Sequence, residues 1–237
     1  MLDVLYRSDD LLVVDKPANI SVLADRSGQA CYWDQLKNEL GTDQPHLVHR
    51  LDKGTSGVLL VALNAKTQRT LTRAFQARSV GKFYLAWVVG KLDLRVTHTI
   101  NLALKKGRKS RYRVAGQRNR IEQRNRVWEL PASRADGHAS ITRLRTLTCS
   151  EQRSLLLLHP RTGRSHQLRV HLAWIGHPIL GDHLYGRPDD PRQQATRLQL
   201  HCHRLSVPGF GAFSTVPGPG WLNANGNQTG CGHSSTP

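Results

Sequence analysis

The sequence predicts a strand-rich α+β domain, and three observations support this class. Short runs of Val, Leu and Ile recur along the chain and are separated by turns rich in glycine, proline and polar residues. Only three segments carry the spacing of an amphipathic helix. A chain of 237 residues that is 38% hydrophobic is long enough to build one large core or at most two small ones. We therefore expect one domain over residues 1–215.

The N-terminal half alternates strands and helices. Strands are predicted at residues 4–6, 11–15, 58–63 and 84–89, and helices at residues 30–40 and 65–77. The second strand ends at Lys16-Pro17, because proline cannot donate to a central ladder. The first helix ends at Gly41.

Three more strands and one helix are predicted in the C-terminal half. The strands are expected at residues 111–114, 139–147 and 154–158. Ser165 is the expected N-cap of a helix that runs to about Ile175 and is stopped by Gly176 and Pro178. Residues 216–237 contain almost no aliphatic side chains and are rich in Pro, Gly, Asn, Ser and Thr, so we expect a disordered tail.

The net charge indicates an anionic partner. Lys and Arg number 34 against 17 Asp and Glu, a net charge of +17, and nucleic acid is the usual partner of so basic a fold. The alternative is that the excess of Lys and Arg only keeps the protein soluble. An acidic membrane surface is a weaker candidate, since there is no basic amphipathic helix with an aromatic face. Residues 105–126 hold ten Lys and Arg against Glu122 alone, which fits either a phosphate-contacting surface or a solvated loop.

The sequence gives no sign of export or membrane insertion. No apolar run is long enough to cross a bilayer, and the N-terminus resembles no secretory signal. The four cysteines lack Cys-x-x-Cys spacing, which favours reduced thiols over disulfides or a zinc site. We expect a cytoplasmic protein.

The loop at residues 49–57 is the first candidate site. Asp52 is a lone carboxylate flanked by Arg50 and Lys53, and apolar runs precede and follow the loop. A carboxylate that a guanidinium keeps ionised can act as a nucleophile or a general base. The alternative is an ordinary hydrogen bond or ion pair within the turn. A serine nucleophile at Ser56 is a weaker hypothesis, because no base partner is evident.

The segment at residues 161–172 is the second candidate site. Arg164 would lie at the mouth of the predicted helix, where it can reach an anion. His166 and His171 are five residues apart with no glutamate between them, so the spacing does not match the zinc-binding helix pattern. We expect no metal site here.

These motifs resemble the RluA-type pseudouridine synthase family, over about residues 2–207 and in the family's order. The resemblance rests on His-Arg-Leu-Asp with Thr-Ser-Gly at residues 49–57, Leu-Val-Val-Asp-Lys-Pro at 12–17, Lys-Phe-Tyr-Leu-Ala at 82–86, Thr-Gly-Arg-Ser-His-Gln-Leu-Arg-Val-His at 162–171, His-Pro-Ile-Leu-Gly-Asp at 177–182, Tyr-Gly at 185–186 and Leu-His at 200–201. The resemblance implies a pseudouridine synthase fold, with a mixed, mostly antiparallel sheet, flanking helices and a central RNA-binding cleft.

The resemblance also implies an isomerase that converts a uridine in structured ribosomal RNA or tRNA to pseudouridine. It implies no cofactor and no metal, and a stand-alone catalytic domain that acts as a monomer. The implied catalytic residues are Asp52 as the catalytic aspartate, Tyr84 stacking on the base and assisting proton removal, and Arg164 pairing with Asp52. The implied substrate-binding residues are Leu168 beneath the base, Arg50 replacing the extruded uridine in its stack, and His49 and Thr55.

The sequence departs from the family pattern at two places. Asn19 stands where the family has a glycine, which predicts a differently built turn. Residues 207–221 are compressed and glycine-rich, which predicts an incomplete sheet edge. Two alternatives remain: a non-catalytic RNA-binding protein on the same fold, which would not need Asp52, Tyr84 and Arg164, and a DNA-binding regulator, for which no recognition helix is evident.

Overall fold

The computed structural model of the protein describes residues 1–25, 28–41, 45–108, 111–131, 136–187 and 189–222. The strands of this part are β1 Val4–Arg7, β2 Leu11–Lys16, β3 His46–Leu47, β4 Ser56–Ala62, β5 Gly81–Val89, β6 His98–Asn101, β7 Leu104–Lys106, β8 Tyr112–Val114, β9 Glu122–Arg124, β10 Val127–Glu129, β11 Ile141–Cys149, β12 Arg153–Pro160, β13 Leu200–Val207 and β14 Gly211–Ser214. The helices are α1 Tyr32–Leu40, α2 Ala65–Gln76 and α3 Gln167–Trp174, with 3-10 turns at Arg118–Arg120 and Pro191–Gln193. The predicted α+β class is confirmed. None of the described helices is long and apolar enough to cross a membrane.

Twelve of these strands form one sheet. Its order is β1-β2-β4-β13-β5-β12-β11-β6-β10-β9, with β3 paired to β4 and β14 paired to β13, while β7 and β8 form a separate hairpin. The pairs β4–β13 and β6–β10 are parallel and the remaining pairs are antiparallel. The predicted mixed, mostly antiparallel sheet is therefore confirmed.

The hydrophobic core has two large parts. All seven residues of β4 are buried, because β2, β3 and β13 pair with it and α2 covers it. The second part surrounds β5, β12 and α3. A cleft opens where the two parts meet, bounded by the β3–β4 loop, β5 and the start of α3.

The beginning of α3 differs from the prediction. Ser165 is not the N-cap: the helix starts one residue later than that cap implies, after His166, whose φ of 54° is left-handed. The Gln167 Oε1 atom accepts from the Arg164 N–H at 3.1 Å and from the Thr162 hydroxyl at 2.7 Å. The Gln167 side chain thus organises the start of the helix, and the left-handed turn at His166 separates Arg164 on the loop from Arg169 on α3.

The structure shows how the chain accommodates the two departures from the family pattern, at Asn19 and at residues 207–221. Asn19 takes a φ of 67°, and asparagine is one of the few residues other than glycine that visit this left-handed region readily. The sheet edge is not incomplete, because β14 pairs with β13. Gly209, with a φ of 78°, makes the turn between these strands, so the glycine-rich composition builds a hairpin.

The packed domain extends past the predicted boundary at residue 215. Trp221 and Leu222 are buried against Trp87, Val89 and Leu180. The Trp87 Nε1–H donates to the Leu222 carbonyl at 2.8 Å, and the Leu222 N–H donates to Gln199 Oε1 at 3.0 Å. The segment up to residue 222 therefore belongs to the domain, and the rest of the predicted tail lies outside the described residues.

Trp221→Ala is expected to lower the free energy of unfolding by about 3 kcal/mol, because it empties a buried aromatic site. Thermal unfolding of the variant and of Val216→Ala, which alters an exposed neighbour, checks this. Equal melting temperatures for the two variants would show that the segment contributes nothing to the core.

Candidate active site

The β3–β4 loop presents Asp52 to the cleft. The Thr55 N–H donates to the Asp52 carbonyl at 3.0 Å and closes the turn. Gly57, with a φ of 115°, lets β4 approach β13, since a Cβ at this position would collide with the Cys202 carbonyl oxygen. The turn that Thr55 closes and the contact of β4 with β13 at Gly57 together fix the path of the chain after Asp52.

The buried side chain of Lys16 is hydrogen-bonded to the same loop. Its side chain is fully buried, and Nζ donates to the carbonyls of Pro17 at 2.7 Å, Ile20 at 2.9 Å and Lys53 at 3.4 Å. Burial lowers the pKa of Lys16 to about 7, although Asp52 acts in the opposite direction. The sequence placed Lys16 in a motif but gave it no role; the structure shows that it ties the end of β2 to the loop.

The ionic partner of Asp52 is Arg169. Arg169 Nη1 lies 3.5 Å from Asp52 Oδ2, and His166 Nε2 lies 3.9 Å from the same oxygen. The predicted pairing with Arg164 is wrong: Arg164 Nε donates to the Ala139 carbonyl at 3.3 Å. Arg164 precedes the left-handed turn at His166 and lies on the loop, whereas Arg169 lies in the first turns of α3 and faces inward.

Arg169 is held in place by Asp182. Its Nε and Nη2 donate to the two Asp182 oxygens at 2.9 and 2.7 Å, a bidentate pair that fixes the plane of the guanidinium. The Asp182 carboxylate is fully buried and also accepts from the backbone N–H groups of Leu184 and Tyr185. The remaining Nη1 is left to face Asp52.

His166 is oriented by a second chain of hydrogen bonds. Its Nδ1 lies 2.7 Å from the Tyr185 hydroxyl, which accepts from the Tyr112 backbone N–H at 2.9 Å. Burial lowers the pKa of His166, with Asp52 acting in the opposite direction, so the neutral imidazole is favoured at pH 7. The sequence excluded His166 from a zinc site but did not identify it as a neighbour of Asp52.

Two cavities meet at Asp52. The first has a volume of about 480 Å³ and the second of about 670 Å³; Arg50, Asp52, His166 and Arg169 line both. The seven residues predicted for the site all line the first cavity: His49, Arg50, Asp52, Thr55, Tyr84, Arg164 and Leu168. The fold therefore gathers three separate sequence motifs around one cavity.

Tyr84 and Leu168 form an apolar wall of the first cavity. They pack in one cluster with Leu200. Tyr84 lies beside Cys202, and burial raises the pKa of Tyr84 well above its usual value. The phenol is thus neutral, and its aromatic ring rather than its oxygen is suited to contact a base in the cavity.

His49 and Thr55 belong to the scaffold of the cavity. His49 Nε2 accepts the Leu60 N–H at 2.9 Å, and its ring stacks on Phe75 with centroids 4.8 Å apart. Burial lowers the pKa of His49 to about 3, so the ring is neutral at pH 7. Thr55 is buried at the end of the Asp52 turn. Both residues shape the loop that carries Asp52.

The basic segment at residues 105–126 forms the β7–β8 hairpin, a 3-10 turn and β9, which confirms the predicted strand at residues 111–114 to within one residue. Some of its cations have partners within the protein: Lys105 pairs with Asp136, Arg124 with Glu122, and Arg118 donates to the Ala173 and Trp174 carbonyls at the end of α3. Arg108, Arg111, Arg113, Arg120 and Arg126 are exposed, and Lys109 lies outside the described residues.

No group of three or more His, Cys, Asp or Glu side chains with the arrangement of a metal site occurs in the described part of the chain. The chemistry available at the site is that of one carboxylate, its arginine and histidine neighbours, and an aromatic and aliphatic wall. The exposed arginines Arg50 and Arg164 at the edge of the first cavity favour a polyanionic ligand.

Comparison with known proteins agrees with this site. Residues 10–174 match the family model described as RNA pseudouridylate synthase. The dual-specificity RNA pseudouridine synthase RluA of Escherichia coli K12 is 33% identical, covering 92% of this chain and 93% of that protein. An uncharacterized RNA pseudouridine synthase of Haemophilus influenzae is 31% identical, covering 91% and 86%.

A solved structure shows the same fold. Human RNA Pseudouridylate Synthase Domain Containing 1 superimposes with a TM-score of 0.71 at 29% identity, covering 92% of this chain and 84% of that chain. The matched family segment carries the Asp52 loop, Tyr84 and Arg169. The chain therefore belongs to the RNA pseudouridylate synthase family, the isomerases that convert uridine to pseudouridine in RNA.

Proposed function

We propose that this protein isomerises a specific uridine in ribosomal RNA or tRNA and that Asp52 is its catalytic aspartate. The observation that carries the proposal is the placement of Asp52: among the described residues lining the first cavity, it is the one carboxylate, and it faces Arg169 across 3.5 Å. A carboxylate in this position can engage the ribose or the base while the glycosidic bond breaks.

The reaction moves one bond and leaves the composition of the RNA unchanged. The bond from the ribose carbon to N1 of the base breaks, a bond to C5 forms, the C5 proton leaves and N1 gains a proton. Tyr84 and Leu168 would hold the detached base between them while it turns. Because burial keeps the Tyr84 hydroxyl neutral, we assign Tyr84 to stacking and not to direct proton removal.

The target uridine must leave its stack before it can reach this cavity. Extrusion costs a few kcal/mol, which protein contacts with the RNA must offset. Arg50 is exposed and borders both cavities, a position from which it can fill the vacated space in the RNA. The exposed arginines of residues 105–126 would add contacts to phosphates that do not depend on sequence.

The names of two relatives support ribosomal RNA as one substrate class and are compatible with a second. RluA is described as dual-specificity, and a relative in Borreliella burgdorferi, 31% identical over 86% of this chain and 60% of that protein, is described as ribosomal large subunit pseudouridine synthase D. Action as a monomer, in the cytoplasm and without metal or cofactor stays a prediction.

The test uses purified protein and unmodified transcripts of tRNA and large-subunit ribosomal RNA. We expect one or a few uridines of one class to be converted, as mapped by carbodiimide labelling and primer extension. The same sites should be unmodified in cells that lack the gene. Tight RNA binding with no pseudouridine in either class would instead indicate a non-catalytic RNA-binding protein.

A further inference from the structure

Lys82 is a partly buried cation of the first cavity that lacks an anionic partner among the described residues. It precedes Tyr84 by two residues on β5, so the two side chains lie on the same face of the strand, and both line the cavity. Among the described residues, Lys82 Nζ has one hydrogen bond, a long one of 3.5 Å to the Thr162 carbonyl, and no carboxylate lies within ion-pair distance.

The surroundings of Lys82 are unfavourable for its charge. The side chain is partly buried, and the nearby Cys202 thiol is protonated at pH 7, because burial raises its pKa to about 12. Burial lowers the pKa of Lys82, and the like charge of Arg78 lowers it further, against the opposing effect of Cys202. A desolvated cation without a counter-charge is costly, so an external anion would bind favourably here.

The other inward-facing cations of the site do not share this condition. Arg169 is neutralised by Asp182 and Asp52, and Lys16 donates to three carbonyls. The residue next to the Lys82 ammonium group is a glycine: a Cβ at Gly163 would lie 3.2 Å from Lys82 Nζ. Lys82 is thus distinguished by its partly buried, unpaired charge and by the glycine next to its ammonium group.

The spacing between Lys82 and Tyr84 fits a nucleotide. Residues two apart on a strand are separated by about 6.6 Å, which is similar to the separation of a base and its own phosphate in a nucleotide. A base stacked on Tyr84 therefore leaves one of its flanking phosphodiesters within reach of Lys82. Arg78 lies at the end of α2 and lines the same cavity.

We propose that Lys82 and Arg78 form a binding site for a phosphodiester that flanks the target uridine. The site deepens the proposed function and rests on it, since it assumes that the base enters the first cavity. It would anchor the flipped nucleotide by its backbone, with Tyr84 and Leu168 contacting the base. Discrimination among RNA sequences would then come from other contacts.

Arg78 provides a substitution that separates binding from stability. Its φ is 57°, in the left-handed region, directly after the C-cap residue Ala77, where glycine is the preferred residue. Arg78→Gly removes the guanidinium and relieves this conformation, so the melting temperature should stay the same or rise. Any loss of RNA affinity in this variant then cannot be due to unfolding.

The first measurement is the salt dependence of binding to a synthetic stem-loop RNA with one loop uridine. We expect R78G and K82M each to weaken binding about tenfold at low salt. Each should reduce the slope of log affinity against log salt concentration by about 0.7 to 0.9, as expected for one lost phosphate contact. The matched control is Lys66→Met, which removes an exposed lysine of α2 outside both cavities and should change neither quantity.

The second measurement replaces each phosphodiester flanking the uridine, one at a time, by a neutral methylphosphonate. At one of the two positions, the neutral linkage should weaken wild-type binding but have almost no further effect on K82M. Fully additive losses at both positions, or unchanged salt slopes in both variants, would overturn the proposal. Both measurements report binding alone and do not depend on turnover. If the methylphosphonate effect is lost in K82M but the RNA gains no pseudouridine, the proposed activity is refuted and the phosphate site is still supported.

Discussion

Asp52→Asn is expected to reduce the rate of pseudouridine formation by at least about a thousandfold. The amide has the shape of the carboxylate but can neither attack as an anion nor act as a base at neutral pH. RNA affinity should be kept or should rise, because a negative charge facing a polyanion is removed. Single-turnover conversion of a bound transcript measures the chemical step apart from product release.

The fold of this variant should be almost unchanged. Asp52 is 28% exposed, and Arg169 keeps its bidentate partner Asp182 when the 3.5 Å contact is weakened, so the free energy of unfolding should change by no more than about 1 kcal/mol. Asp25→Asn is the matched control: it removes a carboxylate that borders the second cavity and pairs with Lys53, and it should remain active. Wild-type turnover by D52N would refute the catalytic assignment.

Arg169→Met is expected to lower the free energy of unfolding by about 3 to 5 kcal/mol. The substitution leaves the Asp182 carboxylate buried and without the cation that neutralises it. For a domain of this size, this corresponds to a fall in melting temperature of roughly 10 °C. Turnover should fall as well, since Asp52 loses the group that orients it. Thermal unfolding and single-turnover kinetics measure the two effects.

Arg164→Met is the matched comparison, because Arg164 is the residue that the sequence motif assigned to the pairing with Asp52. Its Nε donates to one backbone carbonyl at 3.3 Å, so we expect a loss of no more than about 1 kcal/mol and a smaller effect on turnover. Arg169→Lys keeps the charge but not the planar bidentate geometry; it should fold and show a reduced kcat with little change in KM. A larger stability loss in R164M than in R169M would contradict the described network.

Several parts of the molecule could be predicted because they depend on local pattern. The continuous apolar run at residues 58–63 predicts a buried strand, and β4 at Ser56–Ala62 is buried throughout. The helix predicted at residues 65–77 matches α2 at Ala65–Gln76. The loop around Asp52, the strand around Tyr84 and the segment after β12 were each recognisable as motifs, and the fold brings all three to the first cavity.

The tail boundary could not be predicted, because burial is not a local property. Residues 216–222 have the composition of a disordered segment, yet Trp221 and Leu222 are buried. They are covered by Trp87 and Leu180, which are far away in the sequence. A composition average over a short window contains no information about such a partner.

The fold class, the family and the set of loops that form the site could be predicted from the sequence, since these follow from hydrophobic periodicity and motif order. The ion pairs of the site could not be predicted in this way, because they depend on how the elements pack. Arg164 and Arg169 are five residues apart, and the left-handed turn at His166 directs Arg169, not Arg164, toward Asp52 and Asp182. The same holds for Lys82, whose lack of an anionic partner is a property of the surrounding strands. Ion pairing and desolvation depend on distances between elements that are far apart in the sequence, and a local sequence pattern does not give these distances.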